Sequence, residues 1–408
     1  MDQYRGGKRS SISFGSYQRP SVNFNQSASS YYTPRQVYAG QQNSQNGNRI
    51  RSCNYEASFP LFALDWSTQD YVALGSYKED AFNKLQIIHS ADLATWDRVC
   101  EANVVFPISR VQWCPDGGSQ QLATCSDSLR LWTFADCQLR EQVNLSLRRY
   151  NKGAVATVAS VGQLPPVTSF QWNAIDTNML ISSSIDTTCT VWDLQSPNSI
   201  KTQLIAHDSE VFDVKFLTQS TQLFTSCGGD GSVRVFDLRS LAHSTIIYEL
   251  MPSGTTAAAA ELAHTGGSKA LLRLEPSPFD PNVVATFAQD SNSVVILDMR
   301  FPGSPVLTLT GHTAAVNQIQ WHPFKRNVLF SCGDDCQALY WDLSSSLHAA
   351  PSSTTSSSKW NPNNLAHTSD VPQMAYNDEV YEINNLVLRP KGDWLGCTLG
   401  RQFQGVRV

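Results

Sequence analysis

The chain has 408 residues, a net charge of −5, 41% hydrophobic and 10% aromatic content. No apolar run approaches the roughly 18 residues a bilayer span needs, and no apolar core precedes a cleavage-like site near Met1, so a membrane protein is excluded and cytoplasm and nucleus are the expected locations. Residues 1–52 hold Arg5, Lys8, Arg9, Arg19, Arg35, Arg49 and Arg51 against Asp2, a net +6, which leaves −11 on the remainder. A mildly acidic body argues against direct DNA binding and suits basic protein segments as partners.

Residues 1–52 are rich in Gln, Asn, Ser and Gly, with Tyr4, Phe14, Tyr17, Phe24, Tyr31, Tyr32 and Tyr38 spaced through them. Such a composition cannot build a core, which predicts a disordered N-terminal tail. Spaced aromatics in a polar background also resemble prion-like tails, so weak RNA or condensate contacts stand beside the plainer reading of a dispensable tail. Order is expected from Asn54-Tyr55-Glu56 onward.

From there the chain repeats. Leu204 to Arg239 contains an Ala-His step, an apolar run from Val211 to Phe216, a second from Leu223 to Ser226, the turn Gly228-Gly229-Asp230-Gly231, and a third run ending in Phe236-Asp237. Ile181 to Asp186 leads in the same register to Val191-Trp192-Asp193, and Phe330 to Asp335 leads to Tyr340-Trp341-Asp342. Short segments rich in Val, Ile and aromatics, broken by Gly, Asp, Asn and Ser turns, read as strands rather than helices. A period of roughly 45 residues is that of four-stranded propeller blades. Units are entered at Phe62, Ser109, Val167, Glu210, Leu271, Ala315 and Ile383.

This pattern resembles WD repeats and predicts an all-β, seven-bladed β-propeller over residues 53–408. Polar inserts are expected near 146–166, 251–268 and 344–376 as exposed loops. The C-terminal unit supplies only three strands, Glu382–Leu388, Trp394–Leu399 and Gln402–Val408, so residues near Cys53 to Ser58 should add the fourth and remove an open sheet edge.

The resemblance implies a buried side-chain network of Trp341, Ser331, His312 and Asp335. Although Ser, His and Asp together suggest catalysis, Ser226, His207 and Asp230 repeat the set, and Ser182, Asp186 and Trp192 repeat part of it, so a structural role is expected. Phe236 stands where the indole would be, and the unit at Val167 has no His before its first strand, so both units should lean more on apolar packing. No phosphate-binding Gly loop, H-E-x-x-H or G-x-S-x-G pattern occurs. His89, His243, His264, His322, His348 and His367 lack metal spacing, and the ten cysteines read as mostly buried thiols. No enzyme activity, cofactor or metal is expected.

Two segments suggest a partner. Asp237-Leu238-Arg239 and Asp298-Met299-Arg300 each end a third strand with Asp-x-Arg, similar to the box of substrate receptors that dock on the adaptor of cullin-4-type ubiquitin ligases. An arginine fork there suits carboxylate or carbonyl partners, though each could instead pair with acids of its own blade. Ser183 to Trp192, Lys201 to Asp208, Gly229 to Arg234, His243-Ser244-Thr245-Ile246-Ile247-Tyr248-Glu249, Val294 to Asp298, Gln337 to Asp342 and Glu382 to Asn385 go beyond generic repeats. They resemble the WD-repeat family of plant Transparent Testa Glabra and its animal counterpart, a cullin-ligase-associated scaffold. That resemblance covers nearly all of residues 54–408 and departs at Pro276, where an inner-strand aromatic is expected, and in the tail. It implies a non-catalytic scaffold for dual-specificity tyrosine-regulated kinases, or for basic-helix-loop-helix and MYB transcription factors. The alternative is a substrate receptor of a cullin-4-type ligase, docking through Arg239, Arg300, Asp237 and Asp298.

Overall fold

Val283–Ala288 and Val328–Gly333 are buried at every position, whereas Ile200–Ile205 alternates between half-buried and exposed. A strand covered on both faces needs no polar alternation, and a strand at the rim does. These residues belong to a computed structural model that describes residues 52–118, 120–146, 165–196, 199–250, 269–347 and 371–408. In it seven four-stranded antiparallel sheets, blades 1 to 7, form a β-propeller. The tail predicted over residues 1–52 lies outside the described residues except for Ser52, which begins a strand, and so do most of the three inserts. The ends of the third insert are regular structure: Ser344–Leu347 is one helical turn, and Gln373–Asn377 is the outermost strand of blade 6. That strand is too short to show its alternation in sequence, yet Ala375 and Tyr376 pack on the core between blades 6 and 7.

The innermost strands are Leu61–Trp66, Arg110–Trp113, Val167–Trp172, Val211–Phe216, Leu271–Pro276, Val316–Trp321 and Asn385–Leu388, within two residues of the entry points read from the sequence. Pro276 pairs with Val284 at the end of its strand, so the missing aromatic leaves the ladder intact. Each innermost strand pairs along one edge only, and its other edge borders the channel with unpaired N–H groups. The side chain before the strand's last residue reaches the next blade's N–H. Asp65 Oδ2 accepts from Trp113 N–H at 2.7 Å, Gln112 Oε1 from Trp172 N–H at 2.8 Å, Gln171 Oε1 from Phe216 N–H at 2.6 Å, and Gln320 Oε1 from Leu388 N–H at 2.6 Å. Blade 4 has Lys215 there, a donor only, which pairs with Glu275 Oε2 at 3.1 Å. Asp213, two residues earlier, instead accepts from Leu274 N–H at 2.9 Å.

Blade 7 closes as the C-terminal end implies. Ser52–Glu56 pairs antiparallel with Gln402–Arg407, with Cys53 opposite Gly405. A side chain at Gly405 would meet Cys53 Sγ at 2.6 Å, so glycine is required for the approach. Cys53 Sγ accepts from Trp96 Nε1–H at 3.0 Å. Trp66, Trp96 and Phe403 meet edge to face with centroids 5.1 to 5.7 Å apart across the junction of blades 7 and 1. Arg389 adds a two-point ion pair to Asp70, at 2.6 and 2.7 Å.

The buried network forms in full in blade 6. Trp341 Nε1–H donates to Ser331 Oγ at 2.8 Å, Ser331 Oγ lies 2.7 Å from His312 Nε2, and His312 Nδ1 lies 2.9 Å from Asp335 Oδ2. With a neutral imidazole each donor finds an acceptor in turn. In blade 4 Ser226, His207 and Asp230 repeat the chain, while Phe236 stacks on Phe224 at 4.9 Å. Blade 3 keeps the Trp192–Ser182 bond at 2.8 Å, and its Asp186 holds Thr188. Blade 2 makes the same bond from Trp132 to Thr124, a pair the sequence pattern did not single out.

Two outcomes are expected. Deleting residues 1–60 removes the closing strand with Phe59 and should abolish cooperative thermal unfolding, whereas deleting residues 1–45 should leave the melting curve unchanged; identical curves would refute closure by this strand. Ser331→Ala orphans both Trp341 N–H and His312 Nε2, and Ser226→Ala orphans His207 Nε2 and loses a weak contact with the Cys189 thiol. In chemical denaturation the first should cost about 1 to 3 kcal/mol and the second about 1 kcal/mol less.

Candidate functional site

The strands alternate in direction, so the turns divide between two faces. On the entry face each innermost strand begins, and the links between blades lie beside the turns joining second to third strands. On the exit face each innermost strand ends, beside the turns joining third to outermost strands.

Both Asp-x-Arg segments lie on the exit face, in adjacent blades 4 and 5, and have the same geometry. Asp237 Oδ1 accepts from the N–H of Arg239 and from its Nε, each at 2.9 Å, and Oδ2 accepts from Nη2 at 2.6 Å. Asp298 receives Arg300 likewise at 2.9, 2.8 and 2.6 Å, and Asp280 Oδ2 takes a further bond from Arg300 Nη2 at 3.1 Å. The Arg239 guanidinium and backbone N–H hold the Asp237 carboxyl down at about 2, and the Asp298 carboxylate pushes Arg300 up. Each arginine is therefore a cation paired with its own aspartate, with 68% and 53% of its side chain exposed, respectively. Pairing uses the Nε and Nη2 edge and leaves Nη1 for a partner. Phe279 and Phe301 are exposed beside Arg300 on the same blade.

The entry face has a different chemistry. Among the described residues, its turns and links carry Glu79, Asp80, Asp208, Glu210, Asp334, Asp378, Glu379 and Glu382 against Lys78, Lys269 and Arg401. Exposed apolar side chains stand among them: Tyr77, Phe82, Val105 and Phe106 on blades 1 and 2, and Val380 and Tyr381 on the link from blade 6 to blade 7. Asp378 Oδ1 accepts from the N–H groups of Val380 and Tyr381, which fixes that link. The sequence reading passed over these loops because their apolar residues have no strand period.

Between the faces runs a polar cavity of 250 Å³ lined by side chains of all seven innermost strands. Its charges are mutually engaged. Asp213 is fully buried, accepts from Ser169 Oγ–H, and lies 3.7 Å from Arg110. Burial works to raise its pKa, but Lys215, Arg110 and Arg273 outweigh that and lower it. Burial pushes Asp65 up to about 6 against its backbone hydrogen bonds.

Ser331, His312 and Ser226, His207 are each no more than 4% exposed, so no substrate reaches either set. Cys53, Cys114, Cys125, Cys189, Cys227, Cys332 and Cys397 are buried, Cys100 and Cys336 are half-buried, and Cys137 is exposed. His322 is buried, with Nε2 3.0 Å from the Gly392 carbonyl and Nδ1 accepting from Phe324 and Lys325 N–H. Among the described residues no cluster of His, Cys, Asp and Glu could hold a metal, and no helix is long and apolar enough to cross a membrane.

The family model for the WD domain, G-beta repeat, matches residues 198–237 and 303–342. The chain is 54% identical to a WD repeat-containing protein of Saccharomyces cerevisiae, over 90% of this chain and 78% of the relative. It is 34% identical to an uncharacterized WD repeat-containing protein of Schizosaccharomyces pombe, over 87% and 89% of the two chains. It is 39% identical to the DDB1- and CUL4-associated factor 7 homolog of Dictyostelium discoideum, over 72% and 85%. With repeats, closed ring and relatives in agreement, the chain belongs to the WD-repeat family.

Proposed function

We propose that this propeller is a non-catalytic scaffold that holds a regulatory partner on one face. The observation that carries the reading is the pair of chemically distinct faces, one acidic with exposed apolar side chains, the other bearing two aspartate-paired arginines, around a ring whose Ser-His-Asp sets are sealed. The partner class follows the likeness to the Transparent Testa Glabra family and its animal counterpart: a kinase of the dual-specificity tyrosine-regulated type, or a transcription regulator, in cytoplasm and nucleus. Basic segments of such proteins match the acidic entry face.

A second reading has its own observation. Arg239 and Arg300 sit in the same pose on adjacent blades, and a relative 39% identical is named as a DDB1- and CUL4-associated factor. In this reading Asp237 and Asp298 orient the arginines for docking on the adaptor of a cullin-4-type ligase. Pre-orientation of this kind lowers the entropic cost of binding to the extent that the aspartates bias the arginines toward one pose.

Affinity purification of the tagged full-length chain from its own cells should recover a kinase or transcription regulator at near-stoichiometric yield; its absence would refute the first reading. Exposed ion pairs contribute about 0 to 1 kcal/mol to stability, so Arg239→Ala with Arg300→Ala should leave melting nearly unchanged. The double variant should lower adaptor recovery at least tenfold and leave kinase recovery intact. Unchanged adaptor recovery would count against docking through these arginines.

A further inference from the structure

We propose that Tyr77, Phe82, Val105 and Phe106 form a built docking ledge on the entry face for a partner's short apolar segment flanked by lysine or arginine. The inference deepens the scaffold reading, on which it rests, by assigning a surface and a ligand chemistry.

The residues come from two loops, the turn between second and third strands of blade 1 and the link from blade 1 to blade 2. Phe82 is 76% exposed and Val105 58%. Single exposed apolar residues are ordinary, but four on two adjoining loops make a patch of the kind that marks interaction sites. Phe62, at the start of the innermost strand, packs against Tyr77 with centroids 5.0 Å apart and the rings tilted by 50°, and extends the ledge toward the channel mouth.

Asn83 binds the two loops into one unit. It is fully buried and sits directly after Phe82. Its Oδ1 accepts from Ser76 Oγ–H at 2.8 Å and Lys78 N–H at 2.9 Å. Its Nδ2 donates to the carbonyls of Lys78 and Asp80 in one loop, at 3.1 and 2.8 Å, and reaches Val105 in the other at 3.4 Å. Asp80 Oδ1 accepts from Phe82 N–H at 3.0 Å, and Ile108 N–H donates to the Ser76 carbonyl at 3.0 Å. Gly75 permits this closeness, since a side chain there would meet Ile108 at 3.0 Å. Loops tied this way hold the backbone that carries these side chains in place, which lowers part of the ordering cost of a binding hot spot.

Charge selects the occupant. Glu79 and Asp80 are exposed on the ledge and have no cation partner among the described residues. Lys78 on the same turn offsets one of these charges, and the cations on the strands beneath are already engaged, Lys84 by Glu101 and Arg130 by Asp127. A segment with apolar anchors and flanking lysine or arginine would fill the ledge and neutralise both carboxylates.

The test is selection of a random linear-peptide phage library on the full-length protein, followed by titration of the enriched peptides. Enriched sequences should combine aromatic or aliphatic anchors with lysine or arginine. Their affinity should fall at least tenfold for Phe82→Ser with Val105→Ser, several-fold for Glu79→Lys with Asp80→Lys, and further with added salt. Both variants change exposed side chains and should keep the parent's melting temperature. Peptides of acidic character, or binding indifferent to both variants, would overturn the proposal. So would a concentration-dependent dimer dissolved by Phe82→Ser, which would make a second copy the occupant. If the ledge variants lose peptide binding while wild-type protein recovers no cellular partner, the scaffold reading fails and the ledge stands. If the variants recover every wild-type partner and bind peptides normally, only the ledge fails.

Discussion

The unpaired edge of the innermost strands is the constraint on which this ring depends. Seven strands each turn one row of N–H groups toward the central polar cavity rather than toward a paired strand, and a buried donor without an acceptor costs about 1 to 3 kcal/mol. Asp65, Gln112, Gln171 and Gln320 meet the demand by crossing to the neighbouring blade, so one hydrogen bond both satisfies a donor and fixes the spacing between sheets. Where Lys215 cannot accept, Asp213 takes the role from a deeper level, and its buried carboxylate is then held by Arg110, Lys215 and Arg273. The charged cluster in the channel is thus the consequence of one donor residue at an acceptor position.

The blade count, the strand entry points and the closing strand could be read from the residues, because each rests on a local period or on counting strands at the C-terminus. The serine-histidine-aspartate network of His312, Ser331 and Asp335 follows from the resemblance to WD repeats rather than from spacing alone, and it forms in the structure. The bonds between blades were not legible. Gln112 and the Trp172 N–H it receives are 60 residues apart, and nothing local distinguishes Gln112 from a solvent-facing glutamine. Hindsight supplies a weak signal: Asp65-Trp66, Gln112-Trp113, Gln171-Trp172 and Gln320-Trp321 share a polar-aromatic pair at each strand's end. Likewise Asn83 reads as an ordinary turn asparagine until Val105, distant in sequence, is seen beside it.

The Asp-x-Arg segments show where such reading stops for a different reason. Pairing with acids of the same blade and docking on a partner stand as alternatives in the sequence, yet in the structure the first is compatible with the second. Asp237 and Asp298 each occupy one edge of a guanidinium, and an arginine with five N–H donors retains another edge. The two arginines take the same pose on adjacent blades, each paired with the aspartate two residues before it.

Rigidity also limits how such a scaffold could work. Among the described residues, the stitched channel, the closing strand and the Arg389–Asp70 pair tie adjacent blades together, and none of them offers a two-state element through which occupancy of one face would reshape the other. Under the scaffold reading, a ring of this kind couples its partners by holding them near one another. That raises their effective concentration to roughly the millimolar range for short tethers, without new contacts between them. The chemistry of the faces then decides which proteins meet, and the blades keep the two sites from merging.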